Sequence, residues 1–285
     1  MKLIKPSVEI REQGAGMDGM FEHIEWAGRH CYKSHDKTTA TSAREFVGRI
    51  AKSGHGSVLE HGTIYLAIPD FSAADRYLSN PYSKVNVVGN DDRCWCAVTT
   101  NYRVIVENNW DLDLMYQCEP TEFHERRITA KFVCDRRISH EFVRHRKESF
   151  SQESTRYCNY TKDKFGSQIT YIKPSWWDVA PDERPMFEKG LLMAEEAYFE
   201  ALKRWDERKP DKRFRTGFKG NPLSPQMASY ILPMALKTEL VMTGFESDWK
   251  HFLELRCSPA AHPDARYLAN KLKSLITKNY ENKEV

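Results

Sequence analysis

No stretch of about eighteen consecutive apolar residues occurs in this chain, so no segment is expected to span a membrane as a helix. Residues 1–10 carry lysines and a proline but no apolar run of the kind found in secretory leaders, and a cytoplasmic protein is expected. The phosphate-cradling loop of P-loop enzymes is missing, and neither a P-loop nor a Rossmann site is expected. Cysteine is present but unpatterned. Seven cysteines, an odd number scattered from Cys31 to Cys257, fit reduced thiols better than a disulfide framework. Cys94-Trp95-Cys96 does not have the spacing of a zinc site, and no metal is expected. Internal repeats and low-complexity segments are absent as well.

What is there describes a water-soluble globular chain. At 285 residues, with 40% hydrophobic and 29% charged residues, a sizeable core can form, and a single domain over 1–285 is expected. The formal net charge of +3 is too mild to demand a nucleic-acid polymer, although local arginine clusters could serve a phosphorylated small molecule.

The densest such cluster runs from Arg144 to Tyr157. Arg144, His145 and Arg146 stand side by side, Arg156 follows, and hydroxyls and an amide lie between them. Phe142 and Val143 just before suggest an anchored element, which would hold the arginines at a fixed place as an anion site. On charge alone a solvated basic face accounts for the stretch equally well. His140, Glu141 and His145 look at first like a zinc-protease helix, but the histidines are five residues apart and would not share a helical face. His55 and His61 could suggest a metal pair, yet no third ligand stands at useful spacing.

The order Arg-His-Arg, then Ser149, Ser154 and Arg156, closely resembles the signature of the flavin-dependent thymidylate synthases, and the match extends from Glu141 through Asn159. Weaker echoes lie at both ends of the chain. Ala27-Gly28-Arg29-His30-Cys31-Tyr32 resembles an Ala-x-Arg-x-Cys-Tyr segment, Gly54 to His61 resembles a flavin-contacting turn, and Phe252-Leu253-Glu254-Leu255-Arg256 resembles a second signature. The resemblance implies an α/β fold with a central β-sheet flanked by helices, assembled as a homotetramer with active sites between subunits. It implies FAD as cofactor, dUMP as substrate, methylenetetrahydrofolate as carbon donor and NADPH as reductant, with dTMP as product. His55, Ser57, Arg144, His145, Arg146, Gln152, His251 and His262 would bind the flavin. Glu141, Arg144, Gln152, Glu153, Ser154, Thr155, Arg156 and Arg256 would meet the nucleotide, and Arg256 would be the catalytic group that stabilises charge on the pyrimidine ring.

Several positions depart from that pattern. Residues from about 69 to 125 form an insertion of the kind longer family members carry. Glu141 stands where glutamine is common, and Phe245 where the family has an asparagine before its second signature. Ser229 occupies the place of a nucleotide-contacting arginine, and a basic loop with Arg213, Arg215 and Lys219 is expected to compensate. These changes keep two alternatives open: a flavin enzyme making another C5-modified pyrimidine nucleotide, or a silent nucleotide-binding homologue.

Local patterns predict the elements. Ser42 with Glu45 reads as a capping box for a helix stopped by Gly54, Ser72 and Ser139 read as helix caps, and a further capped helix is expected from Ser247. Ile128 to Val133 alternates as a half-buried strand, a second strand is expected over Gln168 to Ile172, and Pro185 to Arg208 reads as the longest helix. An N-cap and N1 proline predict another helix at Ser224-Pro225.

Overall fold

The computed structural model describes residues 1–90, 93–207 and 224–280. Strands β1 (Lys2–Ile4) and β2 (Ser7–Arg11) lead into helices α1 (Gly16–Tyr32), α2 (Ser42–Ser53) and the single-turn α3 (Gly56–Leu59). Then come β3 (Thr63–Ile68), α4 (Phe71–Leu78), β4 (Lys84–Asn90), β5 (Arg93–Asn101) and α5 (Tyr102–Asn108). The second half holds β6 (Arg127–Asp135), α6 (Arg136–Phe142), β7 (Ser149–Gln152), β8 (Thr170–Ile172), α7 (Arg184–Asp206) and α8 (Ser224–Ala228). It ends with β9 (Lys237–Phe245), α9 (Glu246–Arg256) and α10 (Pro263–Tyr280).

Instead of one central sheet there are three. An antiparallel sheet in the order β2-β6-β9-β7 carries the site, β4 and β5 of the expected insertion join β3, which precedes it, in a second antiparallel sheet β3-β5-β4, and β1 pairs in parallel with β8. The split follows from local pairing: β4 and β5 are neighbours in sequence and zip together from Lys84–Thr99 to Asn90–Arg93, which makes β5 the centre of a separate sheet.

Alternation on β6 sets the two faces of the larger sheet. Ile128, Ala130, Phe132 and Cys134 join Leu240 and Met242 in a core closed by Trp249 and Phe252 of α9 and Leu268 and Leu272 of α10. The opposite face meets α1 and is buried yet polar. His23 Nε2 lies 3.0 Å from Thr129 Oγ1, the two hydroxyls of Thr129 and Thr243 are 2.8 Å apart, and His61 Nδ1 is 2.8 Å from Thr243 Oγ1. Three links need three protons and the hydroxyls supply two, so one imidazole donates and the other accepts. Burial holds both rings neutral, pushing the pKa of His23 down to about 3 and that of His61 well below its ordinary value.

The predicted caps shift by a few residues. Asp70 caps α4 by accepting from Ser72 N, and Asp135 caps α6 by accepting from Ile138 N, so Ser139 lies inside that helix. Ser42 is the first residue of α2 and donates to Glu25 across the core, and α9 starts one residue before Ser247 without a side-chain cap. A carboxylate accepts more strongly than a hydroxyl, which is why the aspartates take the N–H groups. Leu191, Tyr198 and Leu202 of α7 are buried together, as the helical spacing predicts. The loop with Arg213, Arg215 and Lys219 lies outside the described residues. Among the described residues no helix is long and apolar enough to cross a membrane.

Although a Rossmann site is not expected, the spacing Gly14-x-Gly16-x-x-Gly19 does occur after β2, running from the connecting loop into the first turn of α1. Its strand pairs antiparallel with β6, so the parallel β-α-β unit such a site needs is not formed there. The glycines serve a close backbone approach: a Cβ on Gly19 would come within 2.2 Å of the Gly14 carbonyl carbon.

Candidate active site

The site grows from α6 and the turn after it. Asp135 starts α6 next to the sheet, and the helix carries Ser139, His140 and Glu141 before ending at Phe142. A tight turn follows, with His145 N donating to Phe142 O and Glu148 N to His145 O, and the chain re-enters the sheet as β7. This turn leaves Arg144 and Arg146 exposed on either side of a buried His145.

Arg256, at the C-terminus of α9, joins the two signature segments. Its Nε donates to His145 Nε2 at 3.0 Å, Nη1 to Glu141 Oε2 at 2.9 Å and Nη2 to the Glu141 carbonyl at 2.7 Å. A guanidinium cannot accept, so His145 presents a bare Nε2 and carries its proton on Nδ1. Burial, with the Arg256 charge and then His251 as further causes, lowers the His145 pKa to about 4 and keeps the ring neutral. His251 stands 6.1 Å away ring to ring, and Phe252 packs on the same imidazole at 4.8 Å. Glu141, His145, His251 and Arg256 are thus brought together.

The second half of the signature is held from α1. Ser154 N donates to the Cys31 carbonyl, and Tyr32 packs against Tyr157 at 5.2 Å. Gln152 Nε2 donates to Ser139 Oγ at 2.7 Å and to Thr238 Oγ1 at 3.3 Å. Arg156 is exposed, its own N–H donating to Ser154 Oγ, and Thr155 is half-buried. Glu153 is different. Its carboxylate, 2% exposed, accepts from Lys237 at 2.7 Å and from Tyr160 at 3.2 Å, inside an ion cluster with Lys33 and Glu239. That side chain is taken up by the fold. Arg29 is likewise structural: it donates to Glu25, Ser34 O and Lys37 O, and so orders the chain after α1.

His55 and Ser57 are exposed at the start of α3, while His61 is fully buried, so the two histidines of that turn do not converge. Among the described residues no group of three or more His, Cys, Asp or Glu is placed to hold a metal ion. No hydrogen bond or ion pair among the described residues links His55 or Ser57 to Arg144, Arg146 or Arg256. His262 sits beside Asp264, 3.9 Å away, at the start of α10. Arg127, which the sequence did not single out, ties the histidine turn to the signature. It donates to Glu60 O at 3.0 Å and to Ser149 Oγ at 3.3 Å, a link between residues remote in sequence and without a local signal. The cysteines near the signature stay thiols: burial raises the Cys158 pKa to about 12 and also raises that of Cys31.

The family described as Thymidylate synthase complementing protein matches residues 15–75 and 110–280. The chain belongs to this family. The Flavin-dependent thymidylate synthase of Mycolicibacterium vanbaalenii is 27% identical over 255 residues, which cover 88% of this chain and 73% of that protein. The enzyme of the same name from Mycolicibacterium gilvum is 25% identical over 261 residues, or 90% and 76% of the two chains. A solved UMP/dUMP methylase from Streptomyces cacaoi, bound with 5-Br dUMP, aligns over 98% of this chain and 93% of that one, at 16% identity and a TM-score of 0.42. The thymidylate synthase complementing family leaves residues 76–109 unmatched, a span that holds β4 and β5 and lies inside the expected insertion.

Proposed function

We propose that this family member is a flavin-dependent thymidylate synthase that converts dUMP to dTMP, with methylenetetrahydrofolate as carbon donor and NADPH as reductant of a bound FAD. The observation that carries the reading is Arg256 clamped between Glu141 and His145, which makes one site of the two family signatures.

The residues present fit the cofactor. Arg144 and Arg146 are exposed and, among the described residues, form no ion pair, as a diphosphate site requires. With His145, Gln152, His251, His262, His55 and Ser57 they would hold the FAD. The flavin, when bound, supplies the hydride that conversion of a methylene to a methyl group needs.

Arg256 has five N–H groups and three are committed, leaving one on each terminal nitrogen for the edge of a pyrimidine. A fixed planar cation stabilises negative charge as the ring ionises, which raises electron density at C5. Glu141 acts through Arg256, holding its plane. His145, kept neutral, adds no competing charge. Arg144, Arg156 and the hydroxyls of Ser154 and Thr155 would receive the nucleotide, with Gln152 beside them. The same proposal includes a cytoplasmic homotetramer with sites shared between subunits. Exposed Met186 and Met193 on α7, with Tyr230 and Met234, offer apolar surface for assembly.

An anaerobic assay with dUMP, methylenetetrahydrofolate and NADPH tests the reading, and dTMP identified by mass is the expected product. A flavin-bound protein that yields a different C5-modified nucleotide would replace it with the related-enzyme reading. Nucleotide binding with neither flavin nor turnover would replace it with the silent homologue.

A further inference from the structure

Ser229 stands where the resemblance calls for an arginine, and its hydroxyl is turned inward, donating to Gln226 O at 2.7 Å. A nucleotide phosphate at this site therefore lacks one cation from that segment. Another cation is fixed nearby. Arg136, the first residue of α6, has its backbone N–H bonded to both Met234 O and Leu236 O, so the chain just after Ser229 sets its position.

The Arg136 side chain is half-buried. Nη1 donates to the Glu153 carbonyl at 3.1 Å and lies 3.5 Å from Thr238 Oγ1, the hydroxyl that also receives Gln152. The neighbouring Glu153 carboxylate is already paired with Lys237 and Lys33, and among the described residues Arg136 has no ion pair. A partly desolvated guanidinium without a counter-ion is costly, and it lies against the segment Gln152–Arg156 that receives the nucleotide in the proposed reading. We propose that Arg136 binds the phosphate monoester of the nucleotide, providing from α6 the cation that Ser229 does not. The inference rests on the nucleotide reading of the site and adds a residue to it.

The test compares dUMP with deoxyuridine, which lacks the phosphate, by calorimetric titration into the flavin-loaded wild type and the variants R136Q and R136K. Glutamine can still donate to Glu153 O but carries no charge. Loss of a charge-assisted hydrogen bond weakens binding by about tenfold to a hundredfold, so R136Q should lose that much affinity for dUMP and little for deoxyuridine. R136K should keep part of the preference for dUMP. Equal weakening of both ligands by R136Q would make Arg136 a support for the loop and overturn the proposal, as would unchanged dUMP affinity. Should R136Q fail to fold, R136K decides: an unaltered ratio of the two affinities together with a lower melting temperature counts against the phosphate role. Failure of the wild type to bind dUMP would instead overturn the nucleotide reading itself, and the proposal with it.

Discussion

Arg256 shows how one side chain can be both anchored and available. Its three internal hydrogen bonds end on two residues of the first signature, so its plane is set before any ligand arrives. Lysine at this position would keep the charge but present a single tetrahedral ammonium, unable to meet His145 Nε2 and both oxygens of Glu141 while facing a ring edge. R256K is therefore expected to fold and keep its flavin absorbance while turnover of dUMP falls about a hundredfold, the scale on which removal of one fixed donor acts. Steady-state kinetics beside the visible spectrum check this. Activity within about twofold of wild type, a change of less than half a kcal/mol in the barrier, would falsify the ring-activating role.

At the scale of elements, α6 is the part that positions most of the site, and its start depends on Asp135. That carboxylate accepts from Ile138 N, and burial raises its pKa, with Asp264 adding to the rise. D135A should cost about 1 kcal/mol in urea denaturation, while D135N, an equally good cap without the buried charge, should cost little. A D135N protein as unstable as D135A would mean that the charge, not the cap, matters. The sequence made β6 and α7 legible because their apolar periods are long and regular. It misplaced the caps of α4 and α6, because a hydroxyl and a carboxylate a few residues apart both satisfy the pattern and only geometry chooses, and at α2 Ser42 turns to Glu25 while the helix starts without a side-chain cap. Within the site, Arg256 and Glu141 stood out only through the resemblance of their segments to the family's two signatures, and the structure brings the two together. The burial of Glu153, the reach of Arg127 and the position of Arg136 were not legible, since each depends on contacts with residues on other elements.

Across the whole molecule, the polar layer between α1 and the four-stranded sheet makes stability depend on pH. His23 and His61 are buried and neutral in the fold, their pKa values lowered chiefly by desolvation, with the Arg127 charge adding to the fall at both. Unfolded, each would titrate near 6.5, so below that pH the unfolded chain binds more protons and stability falls as the pH drops. The slope is about 1.4 kcal/mol per pH unit for each such histidine. Glu148 acts in the opposite direction. Its carboxyl is buried beside β9, its pKa raised to about 8 by desolvation, which outweighs the pull of its own backbone N–H, with smaller and opposed contributions from Asp248 and Lys147. Between its ordinary value near 4.5 and that raised value the folded chain holds the extra proton, so stability from this group is lost as the pH rises. A wild-type stability maximum near pH 6 to 7 follows from the two opposed slopes. Glutamine matches the neutral carboxyl in shape, and E148Q should gain stability over wild type at pH 8 while differing little at pH 5. Urea denaturation across that range checks the sign: a constant offset between the two proteins at every pH would show that Glu148 does not carry the alkaline slope.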